Sequence, residues 1–210
     1  MRVLTGAIVA LNVILSPFAF GQLAPISANV HQANEDLVNG TVTVTHSREG
    51  VFYRAPDGST VTRYRDEKGQ LEEWASLWDA KTGTAYQLDL HNRKAHTNPA
   101  TPPAPQPLTP EFMAKMDQSL KKFPEDKVEG ISCKLRPVTY QGQNAQILKN
   151  TGTSCWSTMY DVELKYDIKV PKSSNTIERH LYQLNDIRIG VQLPADLFDL
   201  RTFTVVAGEN

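Results

Sequence analysis

The sequence predicts a mainly β fold with a minor helical part (α+β): a curved antiparallel sheet, or half-barrel, closed by one or two helices. Stretches in which apolar and polar residues alternate recur along most of the chain, as is typical of half-buried strands. Turn sequences such as PDG and DEKG separate them. Two alternating stretches, at 158–170 and 176–191, are so long that a sheet with one apolar face must curve or acquire a covering layer.

The N-terminal segment has the pattern of an export signal. Arg2 precedes an apolar run over 3–15, and the small residues Ala19 and Gly21 occupy the two positions that a signal peptidase inspects. We therefore expect a signal peptide over 1–21, cleavage after Gly21, and a periplasmic or secreted mature protein of the Gram-negative bacterial type.

A membrane anchor is the alternative interpretation of the same segment. The apolar run is short and is interrupted by Gly6, Asn12 and Pro17, and no basic stop-transfer flank follows it. The remaining 22–210 should form a single domain that does not span the membrane. Its nearly balanced charge and lack of a basic run give no indication of nucleic acid or an anionic membrane as partner.

The two cysteines of the chain, Cys133 and Cys155, predict a disulfide, because an exported protein meets oxidising conditions. Closing this loop is worth about 3 kcal/mol in the chain-entropy model. The alternative is a papain-like nucleophile in the sequence GTSCW. Thr153 and Gly152 depart from that motif, and His180 follows too closely in sequence to be its general base.

The first half of the mature chain should consist of strands and turns, after a weakly patterned segment at 23–39 that could form a short helix. TVTVT predicts a half-buried strand with Val42 and Val44 on one face. Further strands are expected at 51–54, 59–65 and 84–90. The segment 71–78 fits either a helix or a strand, and the strands on both sides favour a strand.

A proline-rich segment over 98–110 predicts an extended connector, and the most distinct helix of the sequence follows it. Thr109 is suited to the N-cap and Pro110 to the first helical position, while Lys121 and Lys122 suit the last turn.

The second half should be sheet. In the stretch 158–170 one predicted face is apolar and the other, made of Asp161, Glu163, Lys165, Asp167 and Lys169, should be solvated. The alternation slips around 181–184 in the next stretch, which predicts a bulge.

No motif of catalysis or metal binding stands out. The histidines are scattered, and GxSxG, P-loop and GxGxxG sequences are absent, so we predict no catalytic residues, no metal and no cofactor. The strand aromatics either pack in a core or line an apolar pocket. The ligand-binding candidates on the predicted strand faces are Trp74, Trp78, Tyr86, Tyr160, Val162, Leu164, Tyr166 and Ile168.

Four segments follow a recurring order: FYRAPDGSTVTRYRDEKG, WDAKTGTAYQLDLHNRKAH, VEGISCKLRPV and ERHLYQLNDIRIGVQLPADLF. This order resembles uncharacterised exported bacterial proteins related to the LolA-like periplasmic lipoprotein carriers, across nearly all of 40–206. The proline usual after the terminal LF is missing. The resemblance implies a LolA-like half-barrel with an apolar concave face able to hold an acyl chain, and it carries over no catalytic residue.

The leading hypothesis is thus an exported non-enzymatic protein that binds an apolar ligand, such as a lipid or a lipoprotein acyl chain, or an envelope protein partner. The alternatives are a cell-envelope hydrolase, which would need His and carboxylate side chains converging in one cleft, and a structural or sensor domain with a filled core and no ligand.

Overall fold

The computed structural model describes residues 23–97, 110–141 and 147–207. Twelve strands in this part of the chain form one curved sheet in the order β12-β6-β5-β4-β3-β2-β1-β11-β10-β9-β8-β7. All neighbours pair antiparallel except β12, which is parallel to β6. The strands are β1 (Ile26–Val38), β2 (Thr41–Arg54), β3 (Thr60–Tyr64), β4 (Trp74–Asp79), β5 (Thr84–Asp89), β6 (Lys94–Thr97), β7 (Glu125–Val128), β8 (Ile131–Gln141), β9 (Ile147–Ser157), β10 (Val162–Pro171), β11 (Thr176–Ile189) and β12 (Thr204–Val206).

Helical structure is sparse, as the predicted mainly β class requires. The helix α1 covers Pro110–Leu120, and short 3₁₀ helices cover Ala195–Leu197 and Leu200–Thr202. None of the described helices is long and apolar enough to cross a membrane. The predicted signal peptide lies outside the described residues, as does the proline-rich connector except for its last residue, which begins α1.

The segment 23–39 is a strand, so the prediction of a short helix there is wrong. β1 is a central strand that pairs with β2 on one side and β11 on the other. Ile26, Ala28 and Val30 are buried, and the residues between them are more exposed. This period-two burial, together with two hydrogen-bonded neighbours, overrides the weak helical pattern.

Two hydrophobic cores stabilise the sheet. The first joins Ile26, Val30, Phe52 and Leu184 to Leu164 and other residues of the β7–β10 half. The second lies over β3 to β6, where Val61, Leu77 and Leu88 pack against Leu197 and Phe203 of the C-terminal segment. The first residues of β2 belong to neither core. Val42 and Val44 are 52% and 57% exposed, so the strand was predicted correctly but its half-buried face was not.

The long β10 strand departs from its predicted alternation. It begins at Val162, because Tyr160 and Asp161 lie in the preceding turn, where Asp161 has a positive φ of 49°. Its pairing with β9 shifts between Glu163 and Lys165, which is the pattern of a β-bulge. The irregularity of β11 lies near Asp186, slightly beyond the predicted position.

The bulge in β10 divides the predicted apolar face. Val162 is opposite Ser157, whereas Tyr166 is opposite Ser154. Ser157 and Ser154 are three residues apart on β9, so they lie on opposite faces of the sheet. Val162 and Tyr166 therefore point to opposite faces too, and the expectation of one uninterrupted apolar face from Tyr160 to Val170 is wrong.

Candidate functional site

The pairing register assigns the side chains in the middle of the sheet to two faces, because directly opposite residues share a face. One row crosses β1, β11, β10, β9 and β8 and consists of His31, Gln183, Lys165, Cys155 and Leu135. We call the face that carries this row the groove face. The reverse, which carries Tyr166 and Tyr182, we call the tyrosine face.

A cavity of about 380 Å³ lies on the groove face. Its apolar wall is formed by Leu135, Cys155 and Leu181. Around this wall the lining is polar and charged, and it includes His31, Asp126, Thr153, Lys165, Asp167, Arg179 and Gln183. Tyr166 and Tyr182 also border the cavity, although the register directs their side chains to the tyrosine face. We call this cavity the groove. An apolar wall bordered by charges suits a ligand that has both an apolar and a polar part.

Arg179 is tightly bound at one end of the groove. Its Nε and Nη2 atoms donate to the two carboxylate oxygens of Asp167 at 2.8 and 2.7 Å, and Nη1 donates to Glu35 at 3.1 Å. These bonds lower the pKa of Asp167 and raise that of Arg179. Such bidentate geometry fixes the orientation of the guanidinium.

Lys165 forms the second ion pair of the groove, with Asp126 of β7. The Nζ–Oδ2 distance is 2.6 Å, and this bond lowers the pKa of Asp126. A flat sheet would separate β10 from β7 by about 14 Å, three strand spacings. The contact therefore fits a sheet that curves toward the groove face, and the lysine side chain crosses β9 and β8 to make it.

The tyrosine face carries a separate polar and aromatic cluster. The rings of Tyr166 and Tyr182 stack with their centroids 5.1 Å apart. Burial raises the pKa of Tyr166 to about 12. Glu163, predicted to be solvated, is partly buried and accepts a hydrogen bond from Ser154. Burial is the main cause of the raised pKa of Glu163.

The disulfide between Cys133 and Cys155 is formed, with the two Cα atoms 5.3 Å apart. Both cysteines are buried, and Cys155 contributes to the apolar wall of the groove. The bond ties β8 to β9 at this wall. A bonded sulfur is not a thiolate nucleophile, so the structure favours the structural role of the pair.

The sequence-predicted binding residues do not form one site. Of the eight, Tyr166 borders the groove, but the register directs its side chain to the tyrosine face. Trp74 is 43% exposed on β4, with its ring 6.0 Å from that of His96. The remaining residues divide between half-buried strand positions (Trp78, Ile168), the second core (Tyr86) and the first core (Tyr160, Val162, Leu164).

Several groove residues were missed by the sequence reasoning. Lys165 and Asp167 were assigned to a solvated face, and Leu135, Leu181 and Arg179 were not singled out. The available signal was the consecutive pair Leu181 and Tyr182, which puts large side chains on both faces of one strand. The partners of these residues come from distant strands, so their convergence depends on the sheet order.

The groups in the groove that could do acid–base chemistry each have a charged or titratable partner. His31 Nδ1 lies 2.5 Å from Glu49 Oε1, and Asp126 and Asp167 are bonded to cations. Within the described ranges, no cluster of three or more His, Cys, Asp or Glu residues is placed to hold a metal ion.

Comparison with known proteins finds similarity in solved structures. No protein-family model matches the chain, and no curated protein matches it. A DUF1329 family protein from Desulfovibrio piger has 11% identity and a TM-score of 0.38, over 87% of this chain and 92% of that one. A LolA superfamily protein from Nitrosomonas europaea has 7% identity and a TM-score of 0.36, over 86% and 91%. No residue's role is transferred from either protein.

Proposed function

We propose that the mature chain is an exported, non-enzymatic binding protein that holds the apolar part of a lipid or acyl ligand in the groove. The observation that carries the proposal is the cavity of about 380 Å³ with Leu135, Cys155 and Leu181 on its wall. Its volume falls within the range of roughly 300–1,000 Å³ typical of small-molecule sites. The sequence resemblance to lipoprotein carriers supports the same class of ligand.

A fluorescent fatty-acid probe tests this function directly. Leu181→Trp places a larger side chain on the groove wall and should abolish saturable binding. Val44→Trp is the matched control, because Val44 is an apolar strand residue that is 57% exposed outside the groove. Equal binding by wild type and both variants, or none by the wild type, would contradict the proposal.

The export part of the proposal rests on the N-terminal sequence and has its own test. The protein recovered from the periplasm should begin at Gln22, and intact-mass measurement with N-terminal sequencing would show this. A species that retains Met1 in the membrane fraction would instead support an anchor.

An envelope protein as partner is the second candidate function, and an exposed apolar row favours it. Val42, Leu37 and Ile177 are opposite one another across β2, β1 and β11, on the groove face. Val42 and Ile177 are 52% and 41% exposed. Contiguous exposed apolar surface is typical of interaction sites. A photo-crosslinker at position 42 should give one discrete protein adduct in cells. A photo-crosslinker at the exposed Thr204 is the control and should give none. Adducts with lipid alone at position 42 would argue against a protein partner.

A further inference from the structure

The two cations of the groove are held very differently. Arg179 donates three hydrogen bonds to two carboxylates, two of them to Asp167 in bidentate geometry. Lys165 has one ion pair, to Asp126, and the two side chains are 36% and 37% exposed. Ion pairs with this much exposure contribute only about 0–1 kcal/mol. Lys165 is therefore the cation of the groove that a ligand can recruit at small cost.

Asp126 does not depend on Lys165 alone. The backbone N–H of Lys127 donates to Asp126 Oδ1 at 2.8 Å, while Lys165 contacts Oδ2. If the ammonium moves away, the carboxylate keeps a hydrogen bond and remains partly exposed to water. This removes the large penalty that follows when one partner leaves a buried pair.

Lys165 is also well placed to meet the head of a bound chain. It is opposite Cys155 on the groove face, and Leu135 is the next residue of the same row. To reach Asp126 its side chain crosses these apolar groups. An apolar chain lying along this wall would thus have the Lys165 ammonium at its side, where it can form a charge-assisted hydrogen bond with an anionic head.

We propose that Lys165 exchanges Asp126 for the anionic head of the ligand, so that the groove selects amphiphiles with a negatively charged head group over neutral ones. This inference rests on the proposed function and adds to it the charge of the ligand and the residue that recognises it. The shared chemistry is an anionic oxygen group at the end of an apolar chain, whether a fatty-acid carboxylate or a phosphate ester.

Three fluorescent probes with the same chain test the inference: a fatty acid, its methyl ester and the alkyl phosphate. The wild type should bind the acid about tenfold more tightly than the ester, as one charge-assisted hydrogen bond implies. In Lys165→Gln the acid should lose about tenfold in affinity relative to the ester, so that the two bind about equally well. Lys169→Gln is the matched control, because Lys169 is exposed on the same strand and does not line the groove.

The outcomes separate the two proposals. If no probe binds the wild type, the proposed function fails. If the acid and the ester bind equally well, and Lys165→Gln changes neither, the groove binds chains but Lys165 does not select the head. Preference for the acid with the phosphate bound no better than the ester would restrict the site to carboxylates and identify fatty acids as the source. An equal loss of preference in Lys169→Gln would overturn the assignment to Lys165.

Discussion

Replacing Leu164 by tryptophan distinguishes the packed core from the groove. Leu164 is fully buried, in one core with Val162, Cys155 and Leu184. Neighbouring residues cover Leu164 completely, so a larger ring at this position has no open space to enter. Leu181 lies one strand away and lines the groove, so the same replacement there has open volume beside it.

The structure predicts different losses for the two replacements. Overpacking of a close-packed core costs typically 1–3 kcal/mol, so Leu164→Trp should lower the free energy of unfolding by about 2 kcal/mol. Leu181→Trp should cost less than about 1 kcal/mol, because its ring can occupy the groove. Urea unfolding followed by far-ultraviolet circular dichroism measures both, and unchanged m-values would show that the unfolded states are comparable. A Leu164→Trp protein as stable as wild type would refute the core position of Leu164.

Three further predictions concern the disulfide, a close backbone approach and a buried carboxyl. Native protein should contain no free thiol, and replacing Cys133 and Cys155 by serine should cost about 3 kcal/mol in urea unfolding. Gly152→Ala should destabilise by about 1–3 kcal/mol, because its Cβ would lie 2.7 Å from Ile168 Cα and closer still to a backbone carbonyl. Glu163→Gln should gain stability relative to wild type as the pH rises from about 4 to about 8, measured by urea unfolding at each pH.

The sign of the pH prediction follows from the direction of the pKa shift. Burial raises the pKa of Glu163 above its ordinary value of 4.5, so the folded protein binds its proton more tightly than the unfolded protein does. Wild-type stability from this group is therefore greatest below 4.5 and declines as the pH rises through the folded pKa. The glutamine is neutral throughout, so its advantage must grow in that interval. A difference that is constant with pH would exclude a raised pKa.

The other two predictions have direct controls. Thr204→Ala, at an exposed position on the edge strand β12, should leave stability nearly unchanged and so calibrate the effect of Gly152→Ala. Full labelling of both cysteines in the native exported protein without denaturant would contradict the disulfide. A serine double variant as stable as wild type would show that the bond adds nothing to folding.

Local patterns were sufficient for much of the fold. Turn residues such as Pro56, Asp57 and Gly58 identified the β2–β3 hairpin, and Pro110 marked the start of α1. The strand interpretation of 71–78 is confirmed from Trp74 onward, because flanking strands constrain a short segment more than its own ambiguous period does. These features depend on neighbours in sequence, which a single chain displays.

Features that depend on partners from distant strands were not accessible. The alternation from Tyr160 to Val170 has no fault in the sequence, and the bulge at Glu163–Lys165 exists only in the pairing of β10 with β9. β1 was taken for a weak helix because its two faces are both partly polar: His31 faces the groove, while Gln32 accepts a hydrogen bond from Tyr64 on the tyrosine face. The groove combines residues of six strands, so its position required the strand order.

Native mass spectrometry of the protein isolated from its own envelope tests the central claim most directly. The account predicts that the wild-type protein carries a co-purifying lipid or acyl species, which is released on denaturation and is anionic. Leu181→Trp, folded and exported at normal levels, should carry none, while Val44→Trp should carry the same species as wild type. A wild-type protein free of any such ligand, or a Leu181→Trp protein that retains it, would contradict a ligand-binding groove.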